Sequence, residues 1–215
     1  MMRFTPHALV FDMDGLLVDS EPLWHEVEIA FAASRGGVWT HEMALECTGM
    51  GIGQVVHVMG RKGGFEVDEA TDVAEIENHF VSRVDGLSLK PFAMAILNDV
   101  RGRLPVGLAS SSARMLIDAI LKHFDLRDYF DVTVSGREVA HAKPFPDVYL
   151  RAADLLGVSP PECLAIEDSR NGAKAARAAG MKVIAVPEVD PAGFELLADA
   201  VVGNLDEARA LLELP

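Results

Sequence analysis

The sequence contains few cysteines. Cys47 and Cys163 are the only two among its 215 residues, one in a polar helical pattern and one at the start of an apolar run. Two such residues supply neither a disulfide framework nor a zinc cluster. We therefore expect ordinary thiols in a reducing compartment, for which the cytoplasm fits best.

Long apolar runs are also missing. The stretch at residues 8–11 stops at Asp12, which makes it too short for a membrane span or a signal peptide. We expect no contact with membranes. Half of the residues are nevertheless apolar, enough for one substantial core and a smaller module.

Positive charge is scarce. The chain has 33 acidic residues against 19 Lys and Arg, with a formal net charge of -14. Proteins that bind nucleic acid need a basic face to neutralise phosphates, and no basic run is present to build one. We expect no nucleic-acid partner, and an anionic substrate would need a metal ion or a few well-placed bases.

Short apolar runs rich in β-forming residues alternate with helical patterns. This alternation predicts an α/β fold, a Rossmann-like doubly wound parallel sheet, in which ligands bind at the carboxyl ends of the strands. A short strand near Val201 and a closing helix complete the pattern. The five main runs are Ala8–Phe11, Pro105–Ala109, Val132–Val134, Cys163–Ile166 and Val183–Val186.

The first two runs are separated by far more chain than one crossover helix needs. Helical patterns begin at Glu21, where Ser20 is placed to cap, and at Asp68. We expect a catalytic core formed by residues 1–18 and 88–215, with an inserted helical cap at 19–87. Such a cap would cover the strand ends as a lid, although an accessory bundle without a chemical role is the alternative.

Asp12 and Asp14 follow the first run. On a strand, residues two apart share a face, which would place the carboxylates roughly 7 Å apart. At an effective dielectric constant of about 20, their repulsion is roughly 2 kcal/mol. The pair therefore predicts a cation nearby, although Asp also commonly starts turns such as one before Gly15.

The run at 105–109 leads into Ser110, Ser111 and Ser112. Hydroxyls and free backbone amides at the start of a helix are suited to holding a phosphate. Helix capping is the alternative explanation for Ser112. We therefore expect an anion-binding loop here, with Ser110 closest to the strand.

The other strand ends supply a lysine and more acids. Lys143 is held in a stiff Pro-rich loop, and Glu167 and Asp168 follow the run at 163–166. Hard oxygen ligands with few histidines favour Mg²⁺, which also bridges to substrate phosphate. We expect all these groups to meet at one edge of the sheet.

These residues resemble the four motifs of the haloacid-dehalogenase-like hydrolase superfamily, in the order and spacing of its members with a helical cap. The resemblance extends from about Ala8 to Pro187, and the opening from Phe11 to Trp24 is especially similar to sugar- and polyol-phosphate phosphatases and to beta-phosphoglucomutase-like proteins. The motifs are Asp12-x-Asp14-Gly15, Ser110, Lys143-Pro144 and Glu167-Asp168-Ser169.

The resemblance implies a phosphatase that acts through an aspartyl-phosphate. Asp12 would be the nucleophile, and Asp14 the general acid and base. Ser110, the Ser111 amide and Lys143 would hold the phosphoryl oxygens. The substrate would be a small phosphorylated metabolite, such as a sugar or polyol phosphate, and the protein a monomer or weak dimer.

The resemblance also implies Mg²⁺ as cofactor. Its ligands would be Asp12, the backbone carbonyl of Asp14 and Asp168, with Glu167 supporting through water. Metal-independent dehalogenases of the superfamily lack the second aspartate, so Asp14 argues against dehalogenation.

Two alternatives remain. Sugar phosphomutases with this cap carry His, Lys and Arg where this chain has Trp24, Thr48 and Ile52, which favours hydrolysis over mutase activity. A non-enzymatic receiver domain also clusters acids, a hydroxyl and a lysine, but it is shorter and lacks the insert.

The expected cap also supplies candidates for contact with the substrate. Trp24 would stack on the substrate or pack in the core beside Val27 and Phe31. Its neighbour His25 is a further polar candidate. The substrate-facing set comprises Ser20, Trp24, His25 and Gly49, while the sequence leaves the orientation of Arg61, Lys62 and Arg83 open.

Overall fold

The computed structural model describes residues 3–47, 50–188 and 190–215. Its larger sheet has six strands, all paired in parallel. In chain order the strands of the described residues are β1 (Ala8–Phe11), β2 (Val18–Asp19), β3 (Ser88–Leu89), β4 (Val106–Ser110), β5 (Val132–Ser135), β6 (Cys163–Glu167), β7 (Lys182–Ala185) and β8 (Ala200–Val201). The six-stranded sheet has the order β5-β4-β1-β6-β7-β8.

Helices cover both faces of this sheet. In chain order they are α1 (Glu21–Ser34), α2 (His41–Leu45), α3 (Ile52–Gly63), α4 (Glu69–Val81), α5 (Ala93–Val100), α6 (Arg114–His123), α7 (Asp147–Leu156), α8 (Arg170–Ala178) and α9 (Leu205–Ala210). Leu9 and Phe11 of β1 are buried in one apolar cluster with residues of α5, α6 and α9. Ala8 and Val10 are buried in a second cluster with residues of α7 and α8. This two-sided packing confirms the predicted doubly wound α/β fold.

The strands lie where the apolar runs predict them, with small shifts at their ends. β4 extends one residue beyond the predicted Ala109, and β6 extends one residue beyond Ile166. Ser110 and Glu167 are therefore the last residues of strands. Their backbones are fixed by the sheet, and both side chains are buried.

Helices α1 to α4 lie between β2 and β3, in the segment expected to form the cap. β2 and β3 pair antiparallel to form a two-stranded ribbon, with Val18 opposite Leu89 and Asp19 opposite Ser88. Next to the ribbon, the ammonium of Lys90 lies 3.1 Å from Asp19. The strand that leads into the helical segment and the strand that leads out of it are therefore neighbours. The boundary of the cap at 19–87 remains a prediction.

Ser20 does not cap α1 as expected. It occupies the N-cap position, but its backbone is helical and its side chain bonds to no amide of the helix. Its hydroxyl instead donates to Asp14 Oδ1 at 2.8 Å. The capping prediction is wrong because a partly buried carboxylate in reach competes for this hydroxyl.

Among the described residues, no helix combines the length and the apolar character required to cross a membrane. Cys47 and Cys163 are both buried and free. The cysteines are therefore part of the packed interior and form no disulfide.

Candidate active site

Three neighbouring strands bring the predicted acidic and hydroxyl residues together at their carboxyl ends. β1 lies between β4 and β6 in the sheet. Asp12 directly follows β1, and its backbone N–H donates to the carbonyl of Ile166 at 3.0 Å. Ser110 ends β4 and Glu167 ends β6. Adjacent parallel strands thus place these side chains at one edge of the sheet.

Lys143 is the cation nearest to the acidic pair. Its ammonium donates to Asp12 Oδ1 at 2.5 Å, to Glu167 Oε1 at 2.6 Å and to the carbonyl of Ala109 at 3.0 Å. Burial lowers the pKa of Lys143, but the charges and hydrogen bonds of Asp12 and Glu167 outweigh burial and raise it above its usual value. The side chain therefore remains a fixed positive charge, with all three of its protons directed to named acceptors.

Glu167 is completely buried and fully hydrogen-bonded. Its Oε1 accepts from the Tyr149 hydroxyl at 2.7 Å in addition to Lys143. Its Oε2 accepts from the backbone amides of Asp168 and Ser169, both at 3.1 Å, and from the Ser169 hydroxyl at 3.0 Å. Five donors thus hold one carboxylate, which orients Lys143 towards Asp12.

Two glycines make room for the carboxylates of β6 and its following loop. A Cβ atom at Gly172 would lie 1.7 Å from Glu167 Oε1, and one at Gly15 would lie 2.2 Å from Asp168 Oδ2. Gly15 also has a positive φ of 80°, a conformation that other residues rarely adopt. Side chains at either position would displace the acids from the site.

The acids form a set that fits a divalent cation. Single oxygens from Asp12, Glu167 and Asp168 all lie within 4.8 Å of one another. Burial raises the pKa of Asp12 well above its usual value; Lys143 opposes this rise and Glu167 adds to it. Burial, Asp12 and Glu167 likewise raise the pKa of Asp168. Three carboxylates thus face one ammonium, and hard oxygen donors with excess negative charge suit Mg²⁺.

Asp14 is surrounded by hydroxyl groups. Its Oδ1 accepts from Ser20, and its Oδ2 accepts from Ser112 at 2.7 Å and from Ser110 at 3.2 Å. Ser112 is not the cap of α6, since Ala113 occupies that position. Because hydroxyls both donate and accept, this environment accommodates Asp14 with or without a proton.

The serine loop presents Ser111 and Ser112 to the pocket, while Ser110 is completely buried behind them. The Ser112 amide donates to the Ser110 hydroxyl at 3.0 Å. Ser135, the last residue of β5, donates to the Ser112 carbonyl at 2.6 Å. The loop is thus tied to β4 and β5.

These groups line one pocket together with residues from the helical segment. The core contributes carboxylates, a lysine and hydroxyls, whereas the helices contribute aromatic, aliphatic and further acidic side chains. On the core side the lining includes Asp12, Asp14, Ser111, Ser112, Lys143, Asp168 and Ser169. On the helical side it includes Glu21, Trp24, His25, Glu28, Ile52, Val55 and Glu77.

Trp24 and His25 both line the pocket. The ring of Trp24 stacks on Phe80, with centroids 4.1 Å apart, so this tryptophan packs on the helical core and also borders the pocket. His25 contacts the edge of His41 and lies 3.5 Å from Glu21. Burial and the neighbouring His41 lower the pKa of His25, which favours the neutral imidazole.

The basic residues of the helical segment do not line this pocket. Lys62 forms an ion pair with Glu46, and Arg83 pairs with Glu26 at 2.6 Å. Arg61 borders a separate shallow depression on α3. None of the three supplies positive charge to the site in this structure.

Gly49 and Thr48, which the sequence analysis assigned to substrate binding and to the mutase comparison, lie outside the described residues. Their neighbours Met50, Gly51 and Ile52 do line the pocket. The loop between α2 and α3 therefore reaches the site through Met50 and Gly51, and α3 through its first residue, Ile52.

Sequence reasoning missed Glu28, Tyr149 and the role of Ser112. Glu28 lies four residues after Trp24 and seven after Glu21, so a helical spacing places all three on one face. That spacing was a usable signal. The contact of Tyr149 with Glu167 joins α7 to β6, and no local pattern could have shown it.

Comparisons of the chain with a family model and with known proteins indicate the same family. A model of the haloacid dehalogenase-like hydrolases matches residues 6–180. Hexitol phosphatase B of Escherichia coli (strain K12) is 38% identical over 94% of each chain. The phosphorylated carbohydrates phosphatase of Thermotoga maritima is 31% identical, covering 96% of this chain and 90% of its own.

A solved structure extends this similarity to the fold. CbbY from Rhodobacter sphaeroides, crystallised in complex with phosphate, superimposes with a TM-score of 0.83 at 26% identity. The match covers 94% of this chain and 96% of that protein. Both the sheet and the helical segment therefore have counterparts in a known structure.

Proposed function

The chain belongs to the haloacid dehalogenase-like hydrolase family and is a phosphatase of that family, and we propose that it hydrolyses a sugar or polyol phosphate through a phosphorylated Asp12 with Mg²⁺ as cofactor. The observation that carries this proposal is the bridge from Lys143 to both Asp12 and Glu167 beside the hydroxyl-held Asp14. The names of the relatives support the substrate class, since they act on hexitol phosphates and phosphorylated carbohydrates.

Asp12 and Asp168 are the residues best placed to hold Mg²⁺ directly. The oxygens of Glu167 already accept five hydrogen bonds, so Glu167 would support the metal through water. The backbone carbonyl of Asp14 would be a further ligand. When bound, Mg²⁺ would offset the negative charge of the phosphoryl group and of Asp12.

In the first step, a carboxylate oxygen of Asp12 attacks phosphorus, and the bond from phosphorus to the leaving oxygen breaks. Protonated Asp14 gives its proton to that oxygen, so the product leaves as a neutral alcohol. The three hydroxyls around Asp14 would hold its carboxyl group in position during this transfer. Asp12 then carries the phosphoryl group as an acyl phosphate.

In the second step, a water oxygen attacks phosphorus and the bond to Asp12 breaks. The carboxylate of Asp14 takes the proton from this water, which restores its protonated form. Inorganic phosphate is released and Asp12 is regenerated. Ser110, the Ser111 amide and Lys143 would bind the phosphoryl oxygens in both steps, where negative charge spreads in the transition state.

The helical segment at 19–87 would act as the cap that closes over this chemistry. Its residues Trp24 and Ile52 line the same pocket as Asp12 and Asp14. Excluding bulk water would strengthen the interactions of the charged groups and limit unproductive side reactions. The buried free cysteines fit the reducing cytoplasm that we propose as its location.

Hydrolysis is favoured over phosphomutase activity by the pocket lining. Trp24 and Ile52 stand where the mutases of the resemblance carry His and Arg, and both line the pocket. An indole and an aliphatic side chain have no charge with which to hold a second phosphate group in the position needed to transfer the phosphoryl group back to the sugar. The receiver alternative is set aside, since the chain is an enzyme of a hydrolase family.

The first experiment measures release of phosphate from an aryl phosphate and from a hexitol phosphate with Mg²⁺. Replacing Asp12→Asn should reduce turnover by about 10³-fold or more, because the nucleophile is lost. The exposed Asp128→Asn is the matched control and should retain activity. Undiminished turnover by Asp12→Asn would overturn the mechanism.

Three further measurements test the metal, the covalent intermediate and the fate of the phosphoryl group. Chelation should abolish turnover and added Mg²⁺ should restore it, and mass spectrometry of acid-quenched enzyme should find a phosphoryl group on the peptide that contains Asp12. Hexose 1-phosphate supplied with a bisphosphate activator should yield free phosphate. Efficient isomerisation without phosphate release would establish a mutase instead.

A further inference from the structure

The helical side of the pocket is lined by carboxyl groups. Glu21 and Glu28 of α1 and Glu77 of α4 all border it. Among residues 3–47, 50–188 and 190–215, Lys143 is the one Lys or Arg in the lining, and it is already bonded to Asp12 and Glu167. The part of the pocket that faces the helices therefore has no free positive charge among these residues.

Glu28 of α1 is buried. It is 6% exposed, and its Oε2 accepts a 2.9 Å hydrogen bond from the indole N–H of Trp39. This bond fixes the carboxyl group against the pocket wall. Burial raises the pKa of Glu28 to about 7, although Trp39 opposes the rise.

The other two carboxyls have different partners. Burial and the charge of Asp14 raise the pKa of Glu21 to about 7. Glu77 forms an ion pair with Arg137 at 2.9 Å, and Arg137 does not line the pocket. A ligand entering this region thus meets groups that accept hydrogen bonds from hydroxyls and repel anions.

We propose that Glu28, held by Trp39, is a specificity-determining residue that binds a hydroxyl of the substrate and, with Glu21 and Glu77, excludes substrates with a second anionic group. This inference rests on the proposed function, since it concerns the part of the substrate remote from the transferred phosphate. The substrate class is then a neutral polyhydroxylated monophosphate. Bisphosphates and phosphorylated sugar acids are poor substrates.

The test compares two substrates that differ at one end. Glucitol 6-phosphate and gluconate 6-phosphate share the phosphate and the chain of hydroxyls, but gluconate has a carboxylate in place of a terminal CH₂OH. At pH 8, where Glu28 is mostly ionised, kcat/KM should favour glucitol 6-phosphate by about tenfold or more. Equal values would overturn the inference.

The variant Glu28→Gln keeps the size of the side chain and an acceptor for Trp39 but removes the charge. It should reduce the preference for glucitol 6-phosphate by about threefold or more. Because the preference is a ratio measured on one preparation, partial loss of folded protein cancels. Glu26→Gln, on the exposed side of the same helix, should leave the ratio unchanged.

The outcomes separate this inference from the proposed function. Wild-type enzyme that releases phosphate from neither an aryl phosphate nor glucitol 6-phosphate would refute the proposed function. Enzyme that cleaves glucitol and gluconate phosphates equally well would refute the specificity alone. An unchanged ratio in Glu28→Gln would remove Glu28 from the role assigned to it.

Discussion

Glu167 and Gly172 approach so closely that no side chain fits between them. A Cβ atom at Gly172 would lie 1.7 Å from Oε1 of Glu167, the same oxygen that accepts from Lys143 and Tyr149. The first turn of α8 is thereby packed against the carboxylate that aims Lys143 at Asp12. This contact joins the stability of the fold to the geometry of the site.

The substitution Gly172→Ala should therefore lower both the stability of the fold and the rate of turnover. The methyl group overpacks the site, which costs about 2 kcal/mol, and this exceeds the gain of about 1 kcal/mol from the better helix former. Displacement of Glu167 should lower kcat by about tenfold or more, since Lys143 loses an anchor. Urea unfolding and steady-state turnover measure the two effects.

Gly86→Ala provides the control for this substitution. Nothing lies within 4 Å of a Cβ atom at Gly86, so stability should change by less than about 0.5 kcal/mol. If Gly172→Ala changed the unfolding free energy as little as Gly86→Ala does, the close contact with Glu167 would not contribute to stability.

Ser112 should matter for the proton transfer that we propose for Asp14. Removing its hydroxyl in Ser112→Ala deletes the 2.7 Å bond to Asp14 Oδ2 and should cost about 1 kcal/mol, or roughly fivefold in kcat. The loss should be larger for an alkyl phosphate than for a nitrophenyl phosphate, because only the alkoxide needs a proton to leave. Steady-state assays with both substrates measure this difference.

Ser82→Ala removes an exposed hydroxyl that donates to the carbonyl of His79 and is the matched control. Ser82→Ala should leave kcat unchanged for both the alkyl and the aryl phosphate. Equal losses on alkyl and aryl phosphates in Ser112→Ala would show that Ser112 does not act through Asp14.

The buried Glu28 should make stability depend on pH. Its pKa rises from 4.5 to about 7 on folding, mainly because burial disfavours the charged form. Its contribution to stability is therefore fully present below pH 4.5 and is lost as the pH rises through about 7. The shift corresponds to about 3 kcal/mol at most.

Glu28→Gln should abolish this part of the pH dependence. Relative to wild type, the variant should gain unfolding free energy at pH 8 compared with pH 5, as measured by urea unfolding at each pH. The titration of the other buried acids contributes to the unfolding free energy of both proteins, and it cancels when one free energy is subtracted from the other. A constant difference across this range would show that Glu28 does not titrate as its burial requires.

Much of the fold could be predicted from the sequence, because the period of apolar residues reports directly on strands and helices. The runs at 8–11 and 163–166 match β1 and β6 to within one residue. The carboxyl ends of parallel strands lie at one edge of the sheet. Asp12, Lys143 and Asp168, which follow strands, could therefore be expected in one place.

Predictions failed where a local pattern competed with a distant partner. Ser20 stands where serine commonly caps a helix, but its hydroxyl bonds to Asp14. Capping statistics describe the helix alone, whereas the bond depends on a carboxylate brought near by the turn at Gly15. The helical spacing could have indicated Glu28 itself, but it could not indicate the bond from Trp39, because Trp39 follows the end of α1.

The ribbon of β2 and β3 has a mechanical consequence. A segment joined to its parent at two distant points can only deform, whereas one joined through a pair of adjacent strands can pivot. Because Val18 faces Leu89 and Asp19 faces Ser88, the two connections between helices α1 to α4 and the core lie side by side. A rotation of helices α1 to α4 about this ribbon would admit or release a ligand while every strand of the main sheet stays paired.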